Sequence, residues 1–363
     1  MRSLITPEPP PRPADLLGRE SARGFSWEQD VILTSGGRNA YALGLRMLRL
    51  REQTRILLPA LCCGALVSAT KAVKAIPVFY ELRDDLSPDL EWLEKHRERA
   101  EAMVVIHYLG FPQPMQETVE FCKRTGMLLI EDCAHALYSR VDGKRLGSSG
   151  AFSFFSIRKV LPAPGGGILA WNEAHHLFSL TLSRPLLSEL LSTSRYFARY
   201  AENLLRVSPR LWLLKNEGLR RAVATRDAAA TPVLRGSARV SARVLSHVDS
   251  SATVALRRKN YCFLLHETDG HANGCPLPRA LSDGVSPMGF PLFVQDRPSF
   301  IRQMLREGIV VRPLWLDLPL EVDEARYPIA SRIGRRLAYA PVHQGMRDGQ
   351  LERVSAALKK CLK

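Results

Sequence analysis

Apolar runs of strand length punctuate the first half of the chain, at Arg55–Leu58, Met103–His107, Met127–Glu131, Ala151–Ile157 and Gly167–Trp171. Around them, apolar positions three and four apart predict helices over Asn39–Leu50, Leu61–Val73 and Met115–Thr125. Strand and helix in alternation point to an α/β fold with a largely parallel sheet. From about residue 175 to 245 the pattern turns helical and basic, with Tyr196, Phe197, Tyr200 and Leu204 at helical spacing. Beyond it come a helix over Ser246–His266, strands near Met288–Val294 and Ile309–Arg312, and a closing helix over Asp348–Leu362, which together read as a smaller α/β domain. At the other end Pro7, Pro9, Pro10, Pro11 and Pro13 argue for an extended arm. The expected organisation is therefore an arm over residues 1–25, a large domain over 26–245 with a basic helical insertion from about 180, and a small domain over 246–363.

Composition fits this picture. The 363 residues are 46% hydrophobic and 24% charged, ordinary globular values that exclude collagen, long coiled coils and wholesale disorder. The charge is less ordinary, at +15. Nine of those positive charges lie between Arg184 and Arg258, which holds 14 Lys+Arg against 5 Asp+Glu. Such an excess suits nucleic acid, an anionic membrane face or a phosphorylated ligand. No nucleic-acid motif accompanies it, so nucleic acid is not expected as a partner. The seven cysteines show no CxxC spacing and read as free thiols of a reducing compartment. The proline-broken N-terminus lacks the apolar core of a secretory signal, and no run of 18 apolar residues occurs. A cytoplasmic protein is expected.

In an open α/β sheet, ligands sit at the carboxyl ends of the strands. That directs attention to His107, Asp132, His135 and the segment Ser156–Gly167. Three elements there bear on chemistry. In LTSGGRNAYALGL a strand end runs through glycines into a helix, whose first N–H groups suit a phosphate. A glycine before a helix can equally be only a turn. In MLLIEDCAHALYS a strand ends on a carboxylate, Asp132, followed by His135; the plain alternative is a capping Asp and a satisfied core histidine. No third ligand stands at metal spacing, so no metal is expected. In GAFSFFSIRKVLPAPGGGILAW a lone lysine, Lys159, lies between two apolar strands, 27 residues beyond Asp132. A surface lysine beside Arg158 is the alternative. Taken together the three match what pyridoxal phosphate needs: a helix N-terminus for its phosphate, an aspartate for its ring nitrogen and a lysine for its aldehyde.

These segments resemble the sugar aminotransferases of the DegT/StrS type, nearly end to end. SGGRNA resembles that family's SGTAAL loop, VVIHYLGFP its VHLYG-P motif and EDCAHALYS its EDAAQAHGA motif. AFSFFSIRKVLPAPGGGILAWN resembles FSFYPTKNL-x-x-GEGG-x-V-x-T, and GRRLAYAPVHQGMRDGQLERV resembles the family's closing segment. The resemblance implies the aspartate-aminotransferase-like fold (fold type I), bound pyridoxal phosphate and a homodimer. It further implies transfer of an amino group from an amino acid, glutamate foremost, to a keto-sugar carried on a nucleotide, as in polysaccharide biosynthesis. By the same resemblance Lys159 is the Schiff-base lysine, Asp132 meets the pyridine nitrogen and His135 contacts the ring hydroxyl. Gly37, Arg38 and Asn39 offer N–H groups to the phosphate, with a hydroxyl from Ser153 or Ser156. FSFFSIRK is one residue longer than the family's FSFYPTK, which leaves both serines as candidates.

Two further departures stand out. Where the family stacks an aromatic ring on the cofactor, this chain has Leu61, Cys62 and Cys63, which puts Cys63 against the ring. The family's loop Asn that reaches a neighbouring subunit's phosphate is missing from PVLRGSARVSARV, where Arg235 or Ser237 would stand in. These departures motivate a rival reading, a cofactor-binding but catalytically worn regulatory protein. A sugar-dehydratase reading is opposed by the retained Lys159. Attachment of the basic helix near 191–207 to a membrane surface is weighed against a role in core or dimer interface.

Overall fold

The computed structural model describes residues 4–12, 14–17, 27, 30–96, 99–172, 182–184, 186–204, 234–268, 275, 277 and 280–362. Each of the five apolar runs becomes a strand of one sheet: β2 (Arg55–Pro59), β4 (Ala102–Ile106), β5 (Leu128–Asp132), β8 (Phe152–Ser156) and β9 (Gly167–Trp171). Two more strands, β1 (Asp30–Thr34) and β3 (Ile76–Tyr80), complete the order β1-β9-β8-β5-β4-β2-β3. All neighbours are parallel except β9, which runs antiparallel to both β1 and β8. Helices α2 (Gly37–Met47), α3 (Gly64–Ala72), α4 (Leu90–His96) and α5 (Met115–Thr125) follow β1 to β4 as crossovers, after a single helical turn, α1 (Ala14–Leu17). Such crossovers cover both faces of the sheet, which is why β4, β8 and β9 are buried along their whole length.

A two-stranded ribbon, β6 (Arg140–Val141) with β7 (Lys144–Arg145), lies between β5 and β8, and the short helix α6 (Ile157–Val160) follows β8 directly. Helix α7 (Leu186–Leu204) is next; residues 205–233 of the basic segment lie outside the described residues. Helices α8 (Arg239–His247) and α9 (Ser250–Glu267) meet at Val248–Asp249, where the Asp249 side chain accepts the N–H of Ala252 and starts α9. The remainder holds a second, antiparallel sheet in the order β10-β12-β11, from β10 (Phe290–Phe293), β11 (Arg312–Pro313) and β12 (Leu337–Ala340). Around it lie α10 (Arg297–Arg306), α11 (Pro328–Arg336) and α12 (Asp348–Cys361).

The N-terminal arm differs from the expectation of a uniformly extended segment. Ala14–Leu17 form a helical turn, at whose start the Asp15 carboxylate accepts the Arg12 N–H (2.6 Å). Ile5 is buried and trades backbone hydrogen bonds with Gly308 and Val310, so the arm is stitched to the C-terminal part.

Beneath the carboxyl edge of the sheet, Glu131 is buried and accepts four hydrogen bonds: from His107 Nε2 (3.0 Å) and from the N–H groups of Gly147 (3.0 Å), Ser149 (2.7 Å) and Gly150 (2.8 Å). Burial alone would raise its pKa, but His107 and these N–H groups outweigh burial and hold the carboxyl below its usual range. Cys133 lies close to this pair, and the three could be read as metal ligands. Glu131's acceptor sites are filled, and His107 spends Nδ1 on the N–H of Gln113, so the Glu131–His107 pair is satisfied by hydrogen bonds.

Glu131→Gln is expected to cost about 3 kcal/mol of stability, read from denaturant midpoints. The folded pKa is depressed, so the carboxylate's contribution is present above its unfolded pKa and lost as pH falls through the folded one. The gap between wild type and variant should therefore narrow on acidification.

Candidate active site

Asp132 ends β5 and is buried, with Oδ1 accepting the N–H of Ala134 at 2.8 Å. Burial raises its pKa, with Lys159 and the Ala134 N–H pulling the other way. Lys159 lies in α6, the turn that leaves β8, the strand beside β5. Its Nζ stands 2.8 Å from Nε2 of the buried His135. Burial lowers the lysine's pKa, opposed by the charge of Asp132. Arg158, its neighbour, is exposed.

The hydrogen bonding of His135 decides the state of this pair. Its Nδ1 accepts the N–H of Leu109 at 3.2 Å. Burial and the Lys159 charge push the imidazole pKa well below its usual range, so the ring is neutral. A neutral ring accepting at Nδ1 carries its proton on Nε2. That proton faces Nζ, and a neutral amine, the form that burial of Lys159 favours, would accept it with its lone pair. Leu109 aims its N–H this way from a left-handed conformation (φ 52°), ahead of Gly110 at φ 94°. A Cβ on Gly110 would come within 2.5 Å of the Ser286 carbonyl. The turn is held by Met288 N–H to Leu109 O (2.8 Å) and by Ser139 Oγ to Gly110 O (2.7 Å).

Helix α2 begins beside this cluster. Gly167 passes so close that a Cβ there would meet the Gly36 backbone at 2.3 Å, and Gly166 turns at φ 98°. The triple glycine is thus what lets β9 start flush against the α2 N-terminus. At that terminus the Asn39 N–H is already bonded to Gly36 O (2.9 Å), and its side chain donates to Ser35 Oγ (2.6 Å). Gly37 and Arg38 supply the two N–H groups ahead of it. The two candidate serines part ways. Ser153 pairs in register with Glu131 and lies against Gly147, on the face away from Asp132. Ser156 returns to the Asp132 face, with its Cβ 3.6 Å from where a Cβ on Gly37 would lie.

Cys63 caps α3, its Sγ accepting the Ala65 N–H at 3.5 Å. Aromatic character comes instead from two residues that sequence reasoning missed. Trp315 stacks on His135 (centroids 5.9 Å, planes 28° apart), and Tyr108 meets Trp315 edge-on and donates to Leu61 O at 2.7 Å. Nothing in the periodicity flags Trp315, which sits in a loop after β11. Arg235 and Ser237 lie along the same chain's β1: Arg235 O accepts the Ser35 N–H (2.9 Å), and Ser237 N–H donates to Leu33 O (3.2 Å).

Arg257, on α9, was also missed. It is fully buried, and donates to Val160 O (2.8 Å), Pro287 O (3.0 Å), Met288 O (3.2 Å) and Gln344 Oε1 (2.9 Å). Val160 directly follows Lys159, so this guanidinium clamps the lysine's turn to the C-terminal part.

Comparison with known proteins agrees with this geometry. The sequence profile of the DegT/DnrJ/EryC1/StrS aminotransferase family matches residues 20–194, a span that holds Asp132, His135 and Lys159. Over that span the chain is similar to this family. Among its relatives, GDP-perosamine synthase of Escherichia coli O157:H7 is 31% identical over 151 residues, 40% of this chain and 41% of that protein. The chain thus matches about two fifths of that relative's length. A dTDP-4-dehydro-2,3,6-trideoxy-D-glucose 4-aminotransferase of Saccharopolyspora spinosa is 26% identical over 353 residues, 93% of this chain and 86% of that one. The fold is that of the aminotransferase TlmJ from Streptoalloteichus hindustanus, with TM-score 0.66, 20% identity, and coverage of 98% of this chain and 92% of that one.

Proposed function

We propose that this protein is a DegT/StrS-type, pyridoxal-phosphate-dependent aminotransferase that moves an amino group from an amino acid, glutamate foremost, to a nucleotide-linked keto-sugar. The observation that carries the reading is Lys159 poised as a free amine on His135, beside a buried Asp132. The donor set fits the cofactor. Asp132 has a buried carboxylate whose described hydrogen bond uses one oxygen only, which suits a protonated ring nitrogen. At the α2 terminus, where a Cβ on Gly36 would meet nothing within 4 Å, the N–H groups of Gly37 and Arg38 and the Ser156 hydroxyl would hold the phosphate. Ser153 and the Asn39 N–H are not part of this cradle.

Bound pyridoxal phosphate supplies an aldehyde that condenses with amines and a ring that draws off electrons. The chain's own groups do the rest. Asp132 keeps a proton on the ring nitrogen. Lys159 presents Nζ as nucleophile and carries a proton between carbon centres. His135, backed by Leu109 and Trp315, holds Nζ in place and keeps it neutral. The nucleotide sugars in the relatives' names, GDP- and dTDP-linked, support the nucleotide linkage, and the homodimer belongs to the same reading.

Purified protein mixed with pyridoxal phosphate should gain a visible absorbance band, and borohydride should then fix the label on Lys159. Addition of glutamate should bleach the band. A protein that never takes up the cofactor would overturn the reading, and one that takes it up yet ignores every amino donor would favour the worn, regulatory alternative. His135→Gln can accept from Leu109 and donate to Nζ as His does, and should keep kcat within about tenfold. His135→Leu can do neither and should lose about 100-fold.

A further inference from the structure

Arg297 opens α10, where Asp296 caps the helix by accepting the Ser299 N–H (2.9 Å). A cation in the first turn works against the helix dipole, so the helix does not explain its place there. The guanidinium instead runs inward, and the residue is only 8% exposed. Its Nη1 donates to Trp315 O (3.2 Å), Leu337 O (3.4 Å) and Gly334 O, and its Nη2 donates to Leu316 O (2.7 Å). Burial pulls its pKa down, opposed by the charge of Asp317. One planar fork thus ties together the loop after β11, the end of α11 and the first residue of β12.

That loop has little else to hold it. β11 is two residues long, and its pairing with β12 stops at Pro313, with one more bond from the Leu314 N–H to Leu337 O (3.3 Å). Beyond it Leu316 and Asp317 are exposed, while Leu318 packs near Gly334. The Trp315 ring is where the loop reaches the site. It lies against one face of His135 (centroids 5.9 Å) and is met edge-on by Tyr108, whose hydroxyl is tied to Leu61 O. The Leu109 N–H fixes the imidazole at Nδ1, and the indole limits how its plane can tilt. A tilt would move Nε2, the atom that faces Lys159 Nζ at 2.8 Å.

We propose that Arg297 is a positioning residue for the Lys159 amine: by holding the backbone of Trp315 it seats that ring on His135, and His135 aims Nζ. This rests on the function proposed for Lys159 and His135.

Two readouts on the full-length protein test it. The first needs no cofactor: acrylamide quenching of Trp315, taken as the difference in emission between proteins with Trp315 and with Trp315→Phe. Arg297→Lys keeps the charge but loses the planar fork, and should make Trp315 at least about twofold more quenchable. Arg297→Gln, neutral and still a donor, should do the same, and carries the test if the lysine variant does not fold. The second readout is the rate at which the visible band forms on mixing with pyridoxal phosphate. Trp315→Ala and Arg297→Lys should each slow the limiting rate about tenfold, with little change in the half-saturating concentration. Trp315→Phe keeps a ring and should keep most of the rate. The double variant Arg297→Lys, Trp315→Ala should be about tenfold slow rather than about a hundredfold, since both substitutions act through one ring. Losses that multiply in the double variant, or Trp315 emission unmoved by either Arg297 substitution, would assign Arg297 to the fold alone and overturn the proposal. Wild-type protein that never forms the band would instead overturn the proposed function, and this proposal with it.

Discussion

Lys159→Ala protein is expected to lose amino transfer by about ten-thousand-fold and to lose the visible absorbance of the loaded wild type. The proposed function gives Lys159 two roles that vanish together, the nucleophile at Nζ and the carrier of the transferred proton. Lys159→Arg is expected to fail as completely. A guanidinium stays protonated at any working pH, and the Nε2–H of His135 would then face a donor rather than a lone pair. Stability should barely suffer in the alanine variant, because burial already disfavours the lysine's charge. Activity lost with an unshifted denaturation curve is the expected pair of results. Alanine protein with more than about a hundredth of wild-type turnover would remove Lys159 from the chemistry.

The largest stability loss is expected at Arg257→Met, about 4 kcal/mol by chemical denaturation. Burial draws the guanidinium pKa down to about 10, which still leaves it charged at neutral pH. Its described partners are three carbonyls and the Gln344 amide, with no carboxylate among them. Methionine recovers the cost of burying a charge but strands those oxygens in a dry interior, and for neutral acceptors the second term dominates. Arg257→Lys keeps the charge but loses the planar fork, and should fall between the two. Turnover should drop as well, because Val160 O, the residue next to Lys159, loses its strongest tie. Gln344 Nε2 also donates to that carbonyl at 3.2 Å, so the turn should loosen rather than unravel.

Strands buried on both faces were legible in the sequence because each reads as an unbroken apolar run. The two strands of the large sheet outside those runs, β1 and β3, are its edges, partly exposed and correspondingly mixed in pattern. In the smaller sheet β12 follows α11 without a gap, so helical and strand periodicities run together there. At the site, Asp132, His135 and Lys159 could be picked out because they stand where strands end. Ser153 and Ser156 could not be separated without register, since one residue along a strand reverses the face. Trp315 and Arg257 come from more than 100 residues beyond Asp132, and only tertiary packing brings them in. The Leu109 N–H was out of reach for a different reason: it is a backbone group, and its value lies in a torsion angle.

Ser286, Pro287 and Met288 carry an implication of their own. Met288 N–H holds the Leu109 carbonyl, and Ser286 N–H bonds the same Ser139 hydroxyl (3.0 Å) that secures Gly110. Arg257 meanwhile grips Pro287 and Met288 with one nitrogen and Val160 with the other. Histidine and lysine are thus suspended, by separate threads, from one three-residue strip ahead of β10. The strip thus bears on both members of the pair, each of which is also tied to the sheet that carries Asp132: His135 stands three residues after β5 ends, and Lys159 lies in the turn that leaves β8.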